Sequence, residues 1–261
     1  MAVLYKATRV PPFFDYTTEA LTEQGFSAIL KAIGGVFVQY QNVVAGKFIR
    51  RPNRFIAHVE VAGREEVVHV KNTGRCRELL VPGATVFLEK SSSAARKTAY
   101  DLIAVMKGDL CINMDSQVPN QVAAEWLRKV LPEALIRREV TWGNSRFDLY
   151  IEVNGRKIFM EVKGVTLEQE GLALFPDAPT LRGVKHLKEL AACIQEGYEA
   201  CVLFVIQMKG VREFRPHEAM HPEFGAALRA AQAAGVQVLA YDCVVAPDSI
   251  EIDHPVAIQV G

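Results

Sequence analysis

The dipeptide Asn154-Gly155 constrains the fold of this chain more than any other feature, because it separates two runs of alternating apolar and polar residues. Asn-Gly accepts the positive φ angles of a type I′ turn and is the strongest short signal for a β-hairpin. A two-residue loop pairs Val153 with Arg156, and every further pair keeps the same sum of residue numbers. The sequence therefore predicts that Asp148 lies directly opposite Glu161.

Two carboxylates that face each other across a strand pair repel, so a positive group is expected beside them. Lys163 lies two residues beyond Glu161, on the same face of its strand. Carboxylate oxygens are suitable ligands for Mg²⁺ or Mn²⁺, and a bound metal ion polarises a phosphate and activates water. The carbonyl of Val162 is a candidate third ligand, and Glu125, on the preceding helix, is a candidate to complete the site. A plain salt-bridge ladder, in which Lys163 and Arg146 neutralise the two acids, fits the same residues equally well.

Charge is distributed unevenly along this chain of zero net charge. Residues 47–97 contain eleven Lys and Arg against five Glu, whereas residues 98–261 contain sixteen basic and twenty-two acidic residues. The basic part is suited to a polyanion and the acidic part to a cation, although random clustering gives the same totals. The basic part thus predicts a polyanionic partner such as a nucleic acid, contacted through its phosphates with little sequence specificity.

The five cysteines lie far apart and form no Cys-x-x-Cys pair, which predicts reduced thiols in the cytoplasm and no structural zinc. The apolar stretch over residues 26–44 is interrupted by polar side chains, so neither a signal peptide nor a membrane span is expected.

The pattern along the chain predicts three parts. Residues 1–44 form an extension of unassigned role, with a short helix over residues 18–33. Residues 45–114 contain short alternating strands with turns between them, which is typical of a small OB-like barrel that binds nucleic acid. The predicted strands cover residues 55–61, 66–70, 84–89, 100–105 and 110–114.

Residues 115–261 alternate between helix and strand, which predicts an α/β domain with a mixed sheet. Asn120 is expected to cap the first helix, and the next helix is expected to begin at Thr180, after a loop over residues 164–179. A buried strand over residues 201–207, a helix beginning near Pro222 and a strand over residues 236–241 complete the domain.

Two groups in the basic part are candidates for contacts with nucleic acid. Lys47, Arg50, Arg51 and Arg54 form a cluster that suits phosphates, or else a solvated basic turn. Asn72, Thr73, Gly74 and Arg75 combine backbone donors, a hydroxyl and a guanidinium, which suits an anion, although a plain tight turn explains them too.

Further candidates lie around the hairpin. Arg182 and His186 are four residues apart on one helix and share a face, so they either approach the hairpin as supporting residues or lie on a solvated surface. Arg146 is a third supporting candidate. Asp177 follows a Phe-Pro turn, where a role in the turn and a catalytic role are equally compatible with the sequence.

Several motifs resemble known families. Asp148 followed by Glu161-Val162-Lys163 resembles the PD-(D/E)xK pattern of restriction-endonuclease-like nucleases. Further segments are similar to the sugar fermentation stimulation protein A (SfsA) family, and the resemblance extends from about residue 46 to residue 241. The similar segments are residues 69–75, 80–84, 145–148, 161–167, 171–178 and 182–187.

The resemblance implies an OB-like barrel followed by a restriction-endonuclease-like α/β domain with a mixed sheet. It also implies DNA binding, a link to the regulation of sugar genes, and a nuclease-type site at Glu125, Asp148, Glu161 and Lys163. The expected function is that of a DNA-binding protein with a Mg²⁺-dependent phosphodiesterase site. A non-catalytic DNA-binding regulator of sugar metabolism genes is the alternative, and RNA processing by the same site is a third option.

Overall fold

The computed structural model describes residues 38–72, 74–92 and 96–261, so Thr73 and the helix predicted over residues 18–33 lie outside the described residues. The helices are α1 (Val118–Val130), α2 (Leu181–Gln195) and α3 (Pro222–Ala233). The strands are β1 (Val38–Gln39), β2 (Val43–Asn53), β3 (Ile56–Val61), β4 (Arg64–Val70), β5 (Thr85–Lys90), β6 (Tyr100–Lys107), β7 (Leu110–Asn113), β8 (Leu135–Trp142), β9 (Ser145–Val153), β10 (Arg156–Val165), β11 (Leu167–Gln169), β12 (Leu172–Phe175), β13 (Glu199–Ile206), β14 (Glu213–Pro216), β15 (Gln237–Ala246), β16 (Ser249–Pro255) and β17 (Ala257–Ile258).

The first domain is the predicted OB barrel. Its sheet has the order β4-β3-β2-β5-β6-β7, and a parallel pairing between β4 and β6 closes strands β2 to β6 into a barrel. Alternate residues of β3 enter the core, as Ala57 and Val59 do, whereas five consecutive residues of β6 are buried. Phe48 is also in this core, whereas Phe55 is half exposed at the β2–β3 turn.

The second domain is the predicted α/β unit with a mixed sheet, in the order β1-β16-β15-β13-β10-β9-β8. Strands β10, β13 and β15 are parallel to one another, and the other pairs are antiparallel. Helix α1 covers one face of the sheet, while α2 and α3 cover the other. The hairpin of β9 and β10 thus lies between two helical layers, which buries most of its side chains.

Two local predictions for this domain were wrong. Helix α1 begins at Val118, because Pro119 fits the first turn, so Asn120 lies inside the helix and does not cap it. The loop predicted over residues 164–179 contains strands β11 and β12, which join β14 and β17 in a second sheet. The start of α2 is confirmed, since the Thr180 hydroxyl accepts a hydrogen bond from the Gly183 N–H.

The two domains are joined by a buried polar network. Tyr40 follows β1, and its hydroxyl accepts a hydrogen bond from Asn113 and donates one to Asp115. Lys71 also donates to Asp115, at 3.0 Å. Strand β1 pairs with β16, and strand β2 begins at Val43, two residues before the predicted boundary. No helix within the described ranges is long and apolar enough to cross a membrane.

Candidate active site

The register of the β9–β10 hairpin is confirmed as far as its fifth pair. Val153 pairs with Arg156, and the ladder continues to Leu149 and Met160. Asn154 and Gly155 have φ angles of 51° and 75°, as a type I′ turn requires. The ladder stops one step before Asp148 and Glu161, so the two acids are close but are not a direct cross-strand pair.

The reason is an irregularity of the sheet at Asp148. Phe147 and Tyr150 both contact the ring of Phe159, although residues three apart on a regular strand face opposite sides. Glu139, which stands opposite Asp148 on β8, has a φ of 56°. The irregularity changes the direction of the Asp148 side chain, and its carboxylate enters the space where the next ladder bond would form.

Asp148 is held at both of its oxygens. Its Oδ2 accepts a hydrogen bond from the backbone N–H of Val162 at 2.8 Å, and its Oδ1 accepts one from Asn120 of α1 at 2.7 Å. Val162 therefore supplies a donor to the site, while its carbonyl remains the predicted metal ligand. These bonds fix the orientation of the carboxylate between the hairpin and the first turns of α1.

Glu161 is only 2% exposed and has two donors on one oxygen. Its Oε1 accepts hydrogen bonds from Lys163 Nζ, at 2.5 Å, and from His186 Nδ1. Its Oε2 is buried and has no hydrogen-bond partner among the described residues. An unpartnered buried carboxylate oxygen costs free energy, so this atom is suited to a ligand that supplies positive charge.

His186 contacts the hairpin at Glu161, and the exposed Arg182 contacts His186. Arg182 donates from Nε to His186 Nε2 at 3.3 Å. Since an arginine can only donate, Nε2 must accept and Nδ1 must hold the proton that is donated to Glu161. The result is a chain of hydrogen bonds from Arg182 through a neutral His186 to Glu161.

The pKa values of the two acids are displaced in opposite directions. Burial raises the pKa of Asp148, and the nearby charge of Glu161 raises it further, against the opposing bonds from Val162 and Asn120. Burial also acts to raise the pKa of Glu161, but the bond from His186 and the charge of Lys163 outweigh it and lower that pKa. Glu161 is therefore the more firmly ionised acid of the pair.

Two predicted site residues have other partners. Glu125, half-buried on α1, accepts a hydrogen bond from Gln121, and Asn120, five residues earlier, is a helix residue that contacts Asp148. Arg146 is exposed and pairs with Glu139 at 3.5 Å. Asn120 was predicted only as a helix cap, and nothing in the local pattern indicates its contact with a strand residue 28 positions further on.

Arg51 has a structural use that its sequence context did not suggest. Its guanidinium donates to four backbone carbonyls, those of Arg54, Asn72, Gly74 and Arg75, at 2.6–2.9 Å. It thereby fixes Asn72, Gly74 and Arg75 against strand β2. Because all four bonds are to main-chain oxygens, little of this guanidinium remains for a phosphate.

The other basic residues are more accessible. Arg50 bonds to Glu65 and His58, and Lys47 donates to Thr85. Arg54 lies over the ring of Phe55, and Arg75 is exposed. The turn residues Asn72 and Gly74 bond to each other, from the Gly74 N–H to Asn72 Oδ1, so this donor is already satisfied within the turn.

A second acidic cluster lies at the edge of the same sheet. Asp242, Asp253 and His254 bring three potential ligand atoms within 4.8 Å of one another. Lys209 Nζ occupies the centre of this cluster, at 2.9 Å from Asp242 and 2.5 Å from Asp253. The spacing of these residues along the chain does not indicate the cluster, because its members come together only through the pairing of β15 and β16 and the position of Lys209.

Known proteins resemble the chain along most of its length. The model of the SfsA N-terminal OB domain matches residues 49–114, and that of the sugar fermentation stimulation protein RE domain matches residues 117–249. A sugar fermentation stimulation protein homolog of Desulfitobacterium hafniense (strain Y51) is 57% identical over 225 residues, which cover 85% of this chain and 99% of the homolog. A homolog of the same name from Clostridium beijerinckii is 57% identical over 218 residues, which cover 82% of this chain and 96% of the relative.

One solved structure extends the similarity to the fold. The structure of Pyrococcus furiosus SfsA in complex with Ca²⁺ matches with a TM-score of 0.78 at 28% identity, over 85% of this chain and 98% of the other. The family models, the relatives and this structure agree, and the chain belongs to the sugar fermentation stimulation protein A (SfsA) family.

Proposed function

We propose that this chain is a DNA-binding protein with a metal-dependent phosphodiesterase site at Asp148, Glu161 and Lys163. The observation that supports the proposal best is the buried Oε2 of Glu161, which has no partner among the described residues and lies beside a second carboxylate. Natural proteins pair such atoms, and a divalent cation is the partner that two carboxylates favour.

The donor set fits a hard cation. Asp148 and Glu161 offer carboxylate oxygens, and the Val162 carbonyl is the proposed third ligand. The Pyrococcus relative binds Ca²⁺, which is also an oxygen-seeking ion. Mg²⁺ or Mn²⁺ is the proposed ion here, and when bound it would supply Lewis acidity toward the phosphate and a water molecule of lowered pKa.

The chain's own residues orient the two carboxylates and neutralise negative charge. Asn120 and the Val162 N–H hold Asp148, while His186 and Arg182 hold Glu161. The Lys163 ammonium group lies on the same side as Glu161, where it can stabilise negative charge that develops on the phosphate. Both carboxylates are thus oriented before a substrate arrives, which reduces the reorganisation that the reaction requires.

Exposed basic residues of the barrel are proposed to hold the DNA backbone. Lys47, Arg50, Arg54 and Arg75 remain candidates, because phosphate contacts need accessible charge and no particular base sequence. RNA offers the same phosphates and is a further substrate to test. The five cysteines are free, which suits a reducing, cytoplasmic setting.

The site is tested by cleavage of plasmid and of single-stranded DNA in Mg²⁺ or Mn²⁺, with EDTA as the metal-free control. Asp148→Asn and Glu161→Gln should each lower the rate by about 10²–10³-fold, because each removes one charged ligand at nearly constant shape. Asp109→Asn, in an exposed turn of the barrel, is the matched control and should keep full activity. Metal-dependent cleavage that survives both site variants would locate the activity elsewhere.

The non-catalytic regulator is supported by one observation: Glu161 Oε1 already accepts from Lys163 and His186, as in a structural ion pair. DNA binding without cleavage of DNA or RNA in either metal would favour this function.

The basic surface is tested by the salt dependence of DNA affinity. Arg54→Ala and Arg75→Ala should each reduce the slope of log affinity against log salt by about 1, since each removes one phosphate contact. Arg215→Ala, which removes an exposed arginine paired with Glu213, is the control. An unchanged slope would exclude the first two residues from the interface.

A further inference from the structure

A cleft between the two domains begins immediately beside the candidate active site. Its volume is about 170 Å³, and Gly164, which follows Lys163 directly, forms part of its wall. The turn at residues 72–75 of the barrel contributes Asn72 and Gly74, and the second domain contributes Thr166, Phe175, Asp177 and Gln207. The cleft therefore begins at the end of β10, the strand that carries Glu161 and Lys163.

The walls of the cleft are held close together by two glycines. A Cβ on Gly164 would lie 2.4 Å from Gln207 Oε1 and 2.7 Å from Pro119, and a Cβ on Gly74 would lie 2.3 Å from Asp177 Oδ2. Gln207 also donates to the backbone carbonyls of Asn113 and Asp115, at the junction of the domains. With Arg51 fixing the turn, both walls are preformed.

The lining has the chemistry of a site for a nucleobase. It contains no lysine or arginine among the described residues, so it is poorly suited to a phosphate. Phe175 and Leu174, both half-buried, offer an apolar surface on which a planar ring can stack. The cleft has room for a single base and not for a base pair.

Two side chains supply a complementary acceptor and donor. The Asp177 carboxylate has no hydrogen bond to another described residue in the structure, and it lines the cleft. The Nδ2 of Asn72 is likewise not used within the described residues, since Asn72 bonds to Gly74 through Oδ1. A carboxylate accepts from an exocyclic amine such as cytosine N4, and an amide N–H donates to the ring nitrogen or carbonyl beside it.

From these contacts we infer that the cleft binds one unpaired nucleobase with an exocyclic amine, cytosine fitting its size best. The inference rests on the proposed function and deepens it, because the base would be held next to the phosphate at Lys163. Exposed Arg75, on the same turn as Asn72, lies where it can meet the backbone of that strand. The proposed substrate is accordingly single-stranded or frayed DNA.

The test compares the affinities of short fluorescent oligo-dC and oligo-dT for the full-length protein in EDTA, measured by anisotropy. Oligo-dC should bind more tightly. Asp177→Ala should weaken oligo-dC by about 10-fold and oligo-dT by less than about 2-fold, because only cytosine presents its amine to the carboxylate. Asp177→Asn, which retains a carbonyl oxygen, should restore part of the loss, and Asp109→Ala, in the exposed β6–β7 turn, should change neither affinity.

Equal affinity for both oligonucleotides, or an equal loss on both, would overturn the inference. Thermal unfolding of each variant distinguishes a lost contact from a lost fold, and Gly74→Ala, which narrows the cleft, should reproduce the Asp177→Ala selectivity. If free dCMP displaces oligo-dC and this competition also depends on Asp177, the base site binds free nucleotides and is not specific for DNA strands. The binding measurements are made in EDTA, which prevents cleavage, so they test the base site separately from the activity. A preference for oligo-dC in a protein that does not cleave DNA in Mg²⁺ would support the base site and contradict only the proposed phosphodiesterase activity.

Discussion

Two clusters in this protein contain the same kinds of side chain, namely two acids, one lysine and one histidine. In the hairpin cluster, Lys163 contacts Glu161 but has no hydrogen bond to Asp148, and Glu161 Oε2 is left without a partner among the described residues. In the edge cluster, Lys209 bonds to both Asp242 and Asp253. A lysine that bonds to both acids neutralises the pair, whereas a lysine that bonds to only one leaves a carboxylate oxygen without a positively charged partner.

The pKa values reflect this difference. In the edge cluster, burial acts to raise the pKa of Asp253, but the bonds from Lys209 and His254 outweigh it and lower that pKa. In the hairpin cluster, burial and the charge of Glu161 raise the pKa of Asp148. Composition alone therefore identifies neither cluster as a metal site, and the geometry of the lysine is the informative feature.

Replacing each of the two lysines by methionine should give the largest difference in cleavage rate between the two clusters. Lys163→Met should lower the rate of DNA cleavage by about 10²-fold, because the phosphate loses a preorganised positive charge. Lys209→Met should leave the rate unchanged and lower the thermal midpoint by roughly 2–6 °C, since Asp242 is then buried without its cation. Cleavage assays and thermal unfolding of both variants measure the two effects. A loss of activity in Lys209→Met would contradict the conclusion that only the lysine of the hairpin cluster takes part in cleavage.

Replacing His186 of the hairpin cluster should lower the cleavage rate more than replacing His254 of the edge cluster, although by a smaller factor than for the lysines. His186→Gln removes the hydrogen bond that orients Glu161 and should reduce cleavage by about 10-fold, as is typical of residues that support a metal ligand. His254→Gln affects the contacts of an exposed side chain with Asp253 and Lys209 and should change the rate by less than about 2-fold. Rates measured over a range of Mg²⁺ concentrations test this, because a supporting role predicts a weaker apparent metal affinity in His186→Gln alone.

Several of these features could be predicted from the sequence because they depend on local spacing. Asn154-Gly155 determines the register of the hairpin, and a separation of two residues puts Glu161 and Lys163 on one face. The helical separation of Arg182 and His186 likewise puts the two side chains in contact, and His186 reaches the hairpin. Turn type and strand period are properties of neighbouring residues, so no tertiary information is needed.

Other features depend on contacts between distant segments. Asn120 reaches Asp148, while Glu125, which the sequence favoured, lies on a different side of the same helix. Arg51 bonds to carbonyls 21–24 residues further along the chain, and β12 pairs with β14 about 40 residues later. A basic or acidic residue read in isolation shows its charge but not whether the fold has already used it.

The smallest expected effect, a change in stability with pH, separates the clusters by sign. A raised folded-state pKa means that Asp148 contributes stability below its unfolded pKa, and that this stability is lost as pH rises through the folded value. A lowered folded-state pKa means that Asp253 contributes stability above its unfolded pKa, and that this is lost as pH falls.

At pH 7 in EDTA, Asp148→Asn should therefore raise the thermal midpoint by a few degrees, whereas Asp253→Asn should lower it. Unfolding curves at pH 7, at pH 4 and at a still lower pH measure both shifts. The Asp148→Asn difference should shrink by pH 4, whereas the Asp253→Asn difference should shrink only as pH falls below the unfolded pKa of Asp253. A midpoint that falls in Asp148→Asn would mean that its bonds to Asn120 and Val162 outweigh the cost of burying its charge, and the hairpin cluster would then be as well satisfied as the edge cluster.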